Sequence, residues 1–115
     1  MPLIFYSVAG LVAYLLGSIP FGYLLVRFFR KEDIRQKGSG NIGATNVIRS
    51  GSKGLGAATF ILDLLKGCCA VLLCGTVAAR LGLAPDVRAN GISIAALFVV
   101  LGHMYTCLLY TSRCV

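Results

Sequence analysis

Charged side chains are spaced unevenly along this 115-residue chain, and the gaps between them define its elements. None occurs between Met1 and Val26, and Leu3–Val26 alone holds 24 uncharged residues. At about 1.5 Å of rise per residue, that is enough helix to cross a hydrocarbon core of about 30 Å. A second apolar run goes from Leu55 to Ala79, interrupted only by Asp63 and Lys66. A third goes from Gly91 to Ser112, without Asp, Glu, Lys or Arg and with a single histidine, His103. The pattern predicts three transmembrane helices, over 3–26, 55–79 and 91–112, with a polar segment at 27–54. Within the first span Gly10, Ala13, Gly17 and Pro20 recur at helical spacing, the pattern of a close-packing face. Pro20 should kink that helix, leaving Ser18 to bond the freed backbone groups.

Composition narrows the class. The chain is 57% hydrophobic and 13% charged, with mean hydropathy +0.84, whereas a soluble domain carries about a quarter charged residues. It is too apolar for disorder. Five cysteines, three of them (Cys68, Cys69, Cys74) inside one apolar run, do not make a disulfide framework or a zinc set, and read as small apolar fillers. The first span is not a signal peptide on this reading. It lacks a basic leader segment, and its apolar stretch is roughly twice as long as a signal's. The expected fold class is an all-α integral membrane protein.

The net charge of +7 is mostly a topology signal. Seven Lys/Arg (Arg27, Arg30, Lys31, Arg35, Lys37, Arg49, Lys53) lie in 27–54 against Glu32 and Asp33. Only Arg80 and Arg88, with Asp86, separate the second and third spans. The positive-inside rule places 27–54 in the cytoplasm and the N-terminus outside. Nucleic acid is not an expected partner, because the basic residues flank a span and lack any aromatic or motif context.

The segment GSGNIGATNVIR, residues 38–49, is where chemistry is expected. Gly38, Gly40 and Gly43 allow left-handed backbone and turn amides toward one point, while Ser39, Asn41, Thr45 and Asn46 add directed hydrogen-bonding groups. Such a set suits an anion, phosphate above all, with Arg49 as a bidentate partner and Arg35, Lys37 and Lys53 raising the local potential. A plain polar linker between two helices is the competing reading. No Walker-type GxxxxGK[ST] occurs, and Gly51–Gly56 is too generic to replace it.

Asp63 and Lys66 stand three residues apart, so a helix puts them on one face with Gly56, Thr59 and Gly67. Each costs roughly 2.5–3.5 kcal/mol at a membrane helix centre, so both should face a polar interior. A neutralised pair holding helices together and a role toward substrate remain equal alternatives. A lone histidine such as His103 is more often a hydrogen-bonded structural residue than a base.

Four stretches, LLGSIPFGYLLVR (15–27), GSGNIGATNVIR (38–49), LDLLKG (62–67) and LGHMY (101–105), occur in an order and spacing that resemble the bacterial acyl-phosphate:glycerol-3-phosphate acyltransferase family, known as PlsY. The resemblance runs nearly to Tyr105. It implies a seven-span membrane enzyme with an external N-terminus and an active site open to the bacterial cytoplasm. The enzyme moves a fatty acyl group from acyl phosphate to the 1-hydroxyl of sn-glycerol 3-phosphate, giving lysophosphatidic acid and phosphate for phospholipid synthesis. Acyl phosphate, glycerol 3-phosphate and membrane lipid are then the expected partners, with no cofactor and no metal.

By the same resemblance Ser39 and Arg49 are the essential residues. Gly38, Gly40, Asn41, Gly43, Thr45 and Asn46 are expected to help hold substrate, with Asp63, Lys66 and His103 as possible support. No base sits at a recognisable spacing from Ser39, so the serine is expected to hydrogen-bond a substrate oxygen rather than to carry the acyl group. The His-x-x-x-x-Asp pair of the other glycerolipid acyltransferase class is absent, since Leu108 stands where its Asp would be.

The chain departs from the family after Tyr105. Thr106 stands in place of a proline, and CLLYTSRCV follows instead of a Lys/Gly-rich phosphate loop. The expectation is therefore that 1–105 is the N-terminal part of a seven-span bundle, that 106–115 is a non-native tail, and that the fragment is inactive alone. The alternative from another class is a small oligomeric transporter or channel subunit lined by the Asp63/Lys66 face.

Overall fold

The computed structural model describes residues 2–40 and 42–105. Their elements are α1 (Pro2–Gly17), α2 (Phe21–Arg30), a 3-10 turn (Ile34–Gln36), α3 (Ala44–Arg49), α4 (Lys53–Arg80) and α5 (Pro85–Met104). No strand occurs among the described residues. Among the described residues, three stretches are long and apolar enough to cross a membrane: Pro2–Arg30, which comprises α1 and α2, Lys53–Arg80 and Pro85–Met104. The described residues divide into two compact units, one formed by 2–19 with 66–105 and the other by Pro20–Leu65.

In the first unit α1 packs along α5 through small residues. Gly10, Ala13 and Gly17 are buried on α1, and Gly91, Ala95, Val99 and Gly102 on α5. A Cβ on Gly17 would run into the Val99 carbonyl, and one on Gly102 into the Tyr14 carbonyl. Backbone thus meets backbone, the geometry that small residues permit between membrane helices. Ala70 and Cys74 of α4 complete the cluster with Ala13, Ala95 and Val99. The hydroxyl of Tyr14 donates to the Tyr105 carbonyl at 2.7 Å. Leu3, Val8, Leu11, Leu72, Leu97 and Val100 stay exposed, an apolar exterior fit for lipid.

The expected kink in the first span is a full break. The α1 ladder stops at Gly17, and α2 starts after Pro20. Ser18 bonds back to the Tyr14 carbonyl through its hydroxyl (2.8 Å), in the role its position suggested. The second span runs within two residues of its expected bounds. It ends on Gly82 at φ +67, where Gly82 N–H reaches Ala79 O and Leu83 N–H reaches Ala78 O (both 3.1 Å). That pair of bonds is a Schellman stop.

The third span corrects the hydropathy reading, because α5 begins at Pro85 rather than at residue 91. Proline in the first turn is pre-set for a helix, and Asp86 beside it is favoured by the helix dipole. Arg88 therefore lies inside the helix and not in a loop. At the other end α5 stops at Met104; the remainder of the expected span and the expected tail, 106–115, lie outside the described residues.

The second unit is built on a small apolar core of Val26, Ile34 and Val47, with Tyr23, Ile42 and Leu55 against it. Lys31 takes a left-handed conformation (φ 55) to end α2. The 38–49 segment is only partly a loop, since Ala44–Arg49 form a helix. The buried Val47 explains the difference, because tertiary packing overrides weak local propensity. Glycines again allow close approach: a Cβ on Gly22 would strike the Ile42 carbonyl, and one on Gly56 the Ile48 side chain.

Candidate functional site

The turn before α3 is shaped by two glycines in left-handed backbone, Gly38 (φ +50) and Gly40 (φ +77). Gly43 is extended at φ −74, so it contributes no left-handed turn. Asn46, on α3 and only 3% exposed, binds this turn from beneath. Its side-chain oxygen accepts from the Ser39 amide at 3.1 Å. Its side-chain nitrogen donates to the carbonyls of Lys37 (3.0 Å) and Ile34 (3.4 Å). A Cβ on Gly38 would collide with that same oxygen.

Two amides that the sequence aimed at an anion are therefore occupied within the turn. Ser39 N–H goes to Asn46, and Gly40 N–H goes to the Lys37 carbonyl at 2.8 Å. What the turn offers outward is side chain: Ser39 and Thr45 are exposed, as is Arg49 at the last position of α3. Asn41 lies outside the described residues.

The surrounding charges are organised among themselves. Arg35 grips Asp33 with Nε and Nη2, at 2.7–3.2 Å, and its guanidinium sits 4.8 Å from the Tyr23 ring centre. Asp33 also accepts from the Arg35 amide at 2.9 Å. The hydrogen bond from Arg35 holds the Asp33 carboxyl below its ordinary range, and Asp33 in turn raises Arg35. Glu32 lies 3.7 Å from Arg30 and 3.8 Å from Lys37. Arg35 and Lys37, expected to add open positive potential, are thus paired with acids. Asp33 ahead of the turn was the available sequence signal, since an aspartate readily bonds its own backbone two residues on.

The supporting candidates fall in different units. Asp63 is half-buried in the α4 portion of the second unit. Lys66, 6% exposed, belongs to the first, where its ammonium donates to the carbonyls of Gly17 (2.8 Å) and Ile19 (3.0 Å). Nothing in the residue pattern indicated those two acceptors. His103 is half-buried on α5. No group of three or more His, Cys, Asp or Glu placed to hold a metal occurs among the described residues.

Three apolar helical stretches long enough to cross a membrane, with no strand among the described residues, define an all-helical integral membrane protein. The chain belongs to the glycerol-3-phosphate acyltransferase family, whose model matches residues 7–113. It is 51% identical over 100 residues to a glycerol-3-phosphate acyltransferase of Rhodopseudomonas palustris (strain BisB5), covering 87% of this chain and 46% of that protein. It is 50% identical over 96 residues to one of Gluconobacter oxydans (strain 621H), covering 84% and 43%. Its structure is similar to the crystal structure of PlsY (YgiH), an integral membrane glycerol 3-phosphate acyltransferase, in the glycerol 3-phosphate form. The TM-score is 0.72 at 37% identity, over 91% of this chain and 48% of that one. The chain thus spans about half the length of the relatives it matches.

Proposed function

We propose that this chain supplies the acceptor-phosphate site of an enzyme that moves a fatty acyl group from acyl phosphate to the 1-hydroxyl of sn-glycerol 3-phosphate. The 38–49 segment carries this reading: Ser39 is exposed on a turn that Asn46 holds in shape, and Arg49 is exposed at the end of α3. The Arg49 guanidinium clamps the phosphate of the acceptor by paired charge-assisted hydrogen bonds. The Ser39 hydroxyl donates to a phosphate or reacting oxygen. Gly38, Gly40, Gly43 and Thr45 complete the substrate-binding set of this segment.

In the step itself, the 1-hydroxyl oxygen of the acceptor forms a bond to the acyl carbon, and the bond from that carbon to the donor's phosphate oxygen breaks. The hydroxyl proton goes to an oxygen of the departing phosphate. Acyl phosphate is already activated, so positioning and charge stabilisation supply most of the rate. Neither a covalent acyl-serine nor an external base is required. The product is lysophosphatidic acid with inorganic phosphate, which places the reaction in phospholipid synthesis. The seven basic residues of 27–54 support a cytoplasmic face for this site and an external N-terminus. We also propose that turnover needs the remaining spans of a family bundle, because the matched relatives are about twice as long.

The test is acyl transfer in membranes where the chain is expressed together with the C-terminal half of the Rhodopseudomonas palustris relative. Lysophosphatidic acid and phosphate should form in equal amounts from acyl phosphate, and Arg49→Lys should lower both rate and acceptor affinity. Full rate and affinity in Arg49→Lys would show that the clamp is wrong. No transfer from two well-inserted halves would remove the donor and reaction assignments.

A further inference from the structure

The side chain buried beneath the proposed site is that of Asn46, and its chemistry differs from that of a ligand. A carboxamide has one acceptor oxygen and two donor hydrogens. In Asn46 the oxygen takes the Ser39 amide, while the nitrogen serves the carbonyls of Lys37 and Ile34. These partners lie in one stretch, 34–39, so a single side chain spans the turn from its 3-10 start to its serine. The side chain is buried at 3% exposure, where an unmade hydrogen bond costs more than at the surface.

Gly38 is matched to it. A side chain there would need an unfavourable φ of +50 and would put its Cβ into the Asn46 oxygen. Removing either residue's special feature removes the other's fit. Ile34 and Val47, both fully buried, lock the two ends of the arrangement into the small core. The carboxamide therefore sits between the small apolar core and a turn that exposes the Ser39 side chain.

We propose that Asn46 is a positioning residue: it fixes the Gly38–Gly40 turn so that the Ser39 hydroxyl meets the phosphate of the acceptor, and it does not contact substrate itself. This rests on the functional reading above, in which Ser39 and Arg49 make the contacts. Aspartate keeps the acceptor for Ser39 N–H but loses both donors, and sets a carboxylate against two carbonyl oxygens. Alanine loses these bonds but buries no charge, so aspartate should be no milder than alanine.

The experiment uses the full 115-residue chain in lipid nanodiscs, titrated with glycerol 3-phosphate and followed by amide hydrogen exchange. Asn46→Ala should speed exchange at Ser39 and weaken binding by about tenfold, the scale of losing one or two buried hydrogen bonds. Asn46→Asp, which buries a carboxylate against two carbonyl oxygens, should weaken binding at least as much as Asn46→Ala. In a Ser39→Ala background, Asn46→Ala should cost less than about twofold further, because residues acting through one contact are not additive. A merely structural asparagine would instead give additive losses. Gly38→Ala reaches the same turn from its other side, and should reproduce the exchange and binding changes even if Asn46→Ala fails to fold. Unchanged exchange at Ser39 in both variants, or fully additive losses, would overturn the positioning role. A wild-type chain that takes up no glycerol 3-phosphate would sink the functional reading itself, and the exchange data would still decide whether Asn46 orders the turn.

Discussion

The ammonium of Lys66 lies 2.8 Å from the carbonyl oxygen of Gly17 and donates to it, with Ile19 as its second acceptor at 3.0 Å. A helix that ends leaves its last carbonyls without intrahelical donors. Here α1 ends inside an apolar stretch, where unsatisfied carbonyls are expensive. Lys66 reaches them from α4, so a cation inside a membrane span caps the C-terminal end of another helix, where cations are favoured. This weighs the open alternatives for Lys66 toward a structural one.

Lys66→Met keeps much of the side chain's bulk and removes the donor. We expect it to destabilise the protein by about 1–3 kcal/mol, the cost of leaving buried carbonyls unpaired. Lys66→Arg should lose less. Thermal unfolding in detergent measures both, and an unchanged midpoint in Lys66→Met would refute the cap.

The crossing of α1 and α5 gives a second prediction. Gly17 meets the Val99 backbone and Gly102 meets the Tyr14 backbone, so neither contact can be relieved by moving a flexible side chain. Gly17→Leu or Gly102→Leu should force the helices apart and cost about 1–3 kcal/mol, the usual range for overpacking. The Tyr14–Tyr105 hydrogen bond should be lost with it. By contrast Gly67→Ala, where a Cβ has no neighbour within 4 Å, should be nearly neutral. Unfolding midpoints of the three variants, compared in one detergent, decide this.

Spans and packing face were legible because both are written in residue type. Uncharged stretches of adequate length mark the helices, and Gly10, Ala13 and Gly17 recur at helical spacing on the side that α5 covers. The start of α5 was not legible from hydropathy, since Pro85, Asp86 and Arg88 look like loop residues until their helix-start chemistry is weighed. The turn was half legible. Gly38 and Gly40 do take the left-handed backbone their type allows. The destinations of the Ser39 and Gly40 amides depend on a tertiary partner and on local closure, which composition does not encode. For the same reason the sequence, which offers Asn46 as a hydrogen-bonding group toward substrate, does not reveal that it is buried on α3 beneath the turn. The bonds of Lys66 join positions 49 and 47 residues apart, beyond any local rule.

Asp33 sets a pH dependence for the 33–37 segment. Its carboxyl is held below the ordinary value of 3.8 by the hydrogen bond from Arg35. The folded segment therefore gains stability that is present above the ordinary value and is lost as pH falls through the lowered one. The pair is at the surface, so the effect is small and screened by salt. Exchange protection of the Arg35 amide, corrected for its intrinsic rate, should hold from neutral pH down to about pH 4 and fall below it. Asp33→Asn should remove that acid limb. An acid limb of equal size in Asp33→Asn would assign the transition to another group.

Gly56 links the frame to the proposed site. A Cβ there would run into Ile48 Cγ1 and stand 3.3 Å from the Ala44 carbonyl, so α3 rests directly on the α4 backbone. Gly56→Val should therefore displace α3, carrying Asn46 and Arg49 together, while leaving the charge and hydrogen-bonding inventory of the turn intact. Acceptor affinity should fall several-fold, and exchange should quicken at Ser39, although neither Ser39 nor Arg49 has changed. Ile48→Ala, which clears the colliding side chain, should restore part of both in the double variant, because residues in contact couple. Recovery absent from the double variant would mean that α3 is held by contacts other than this one.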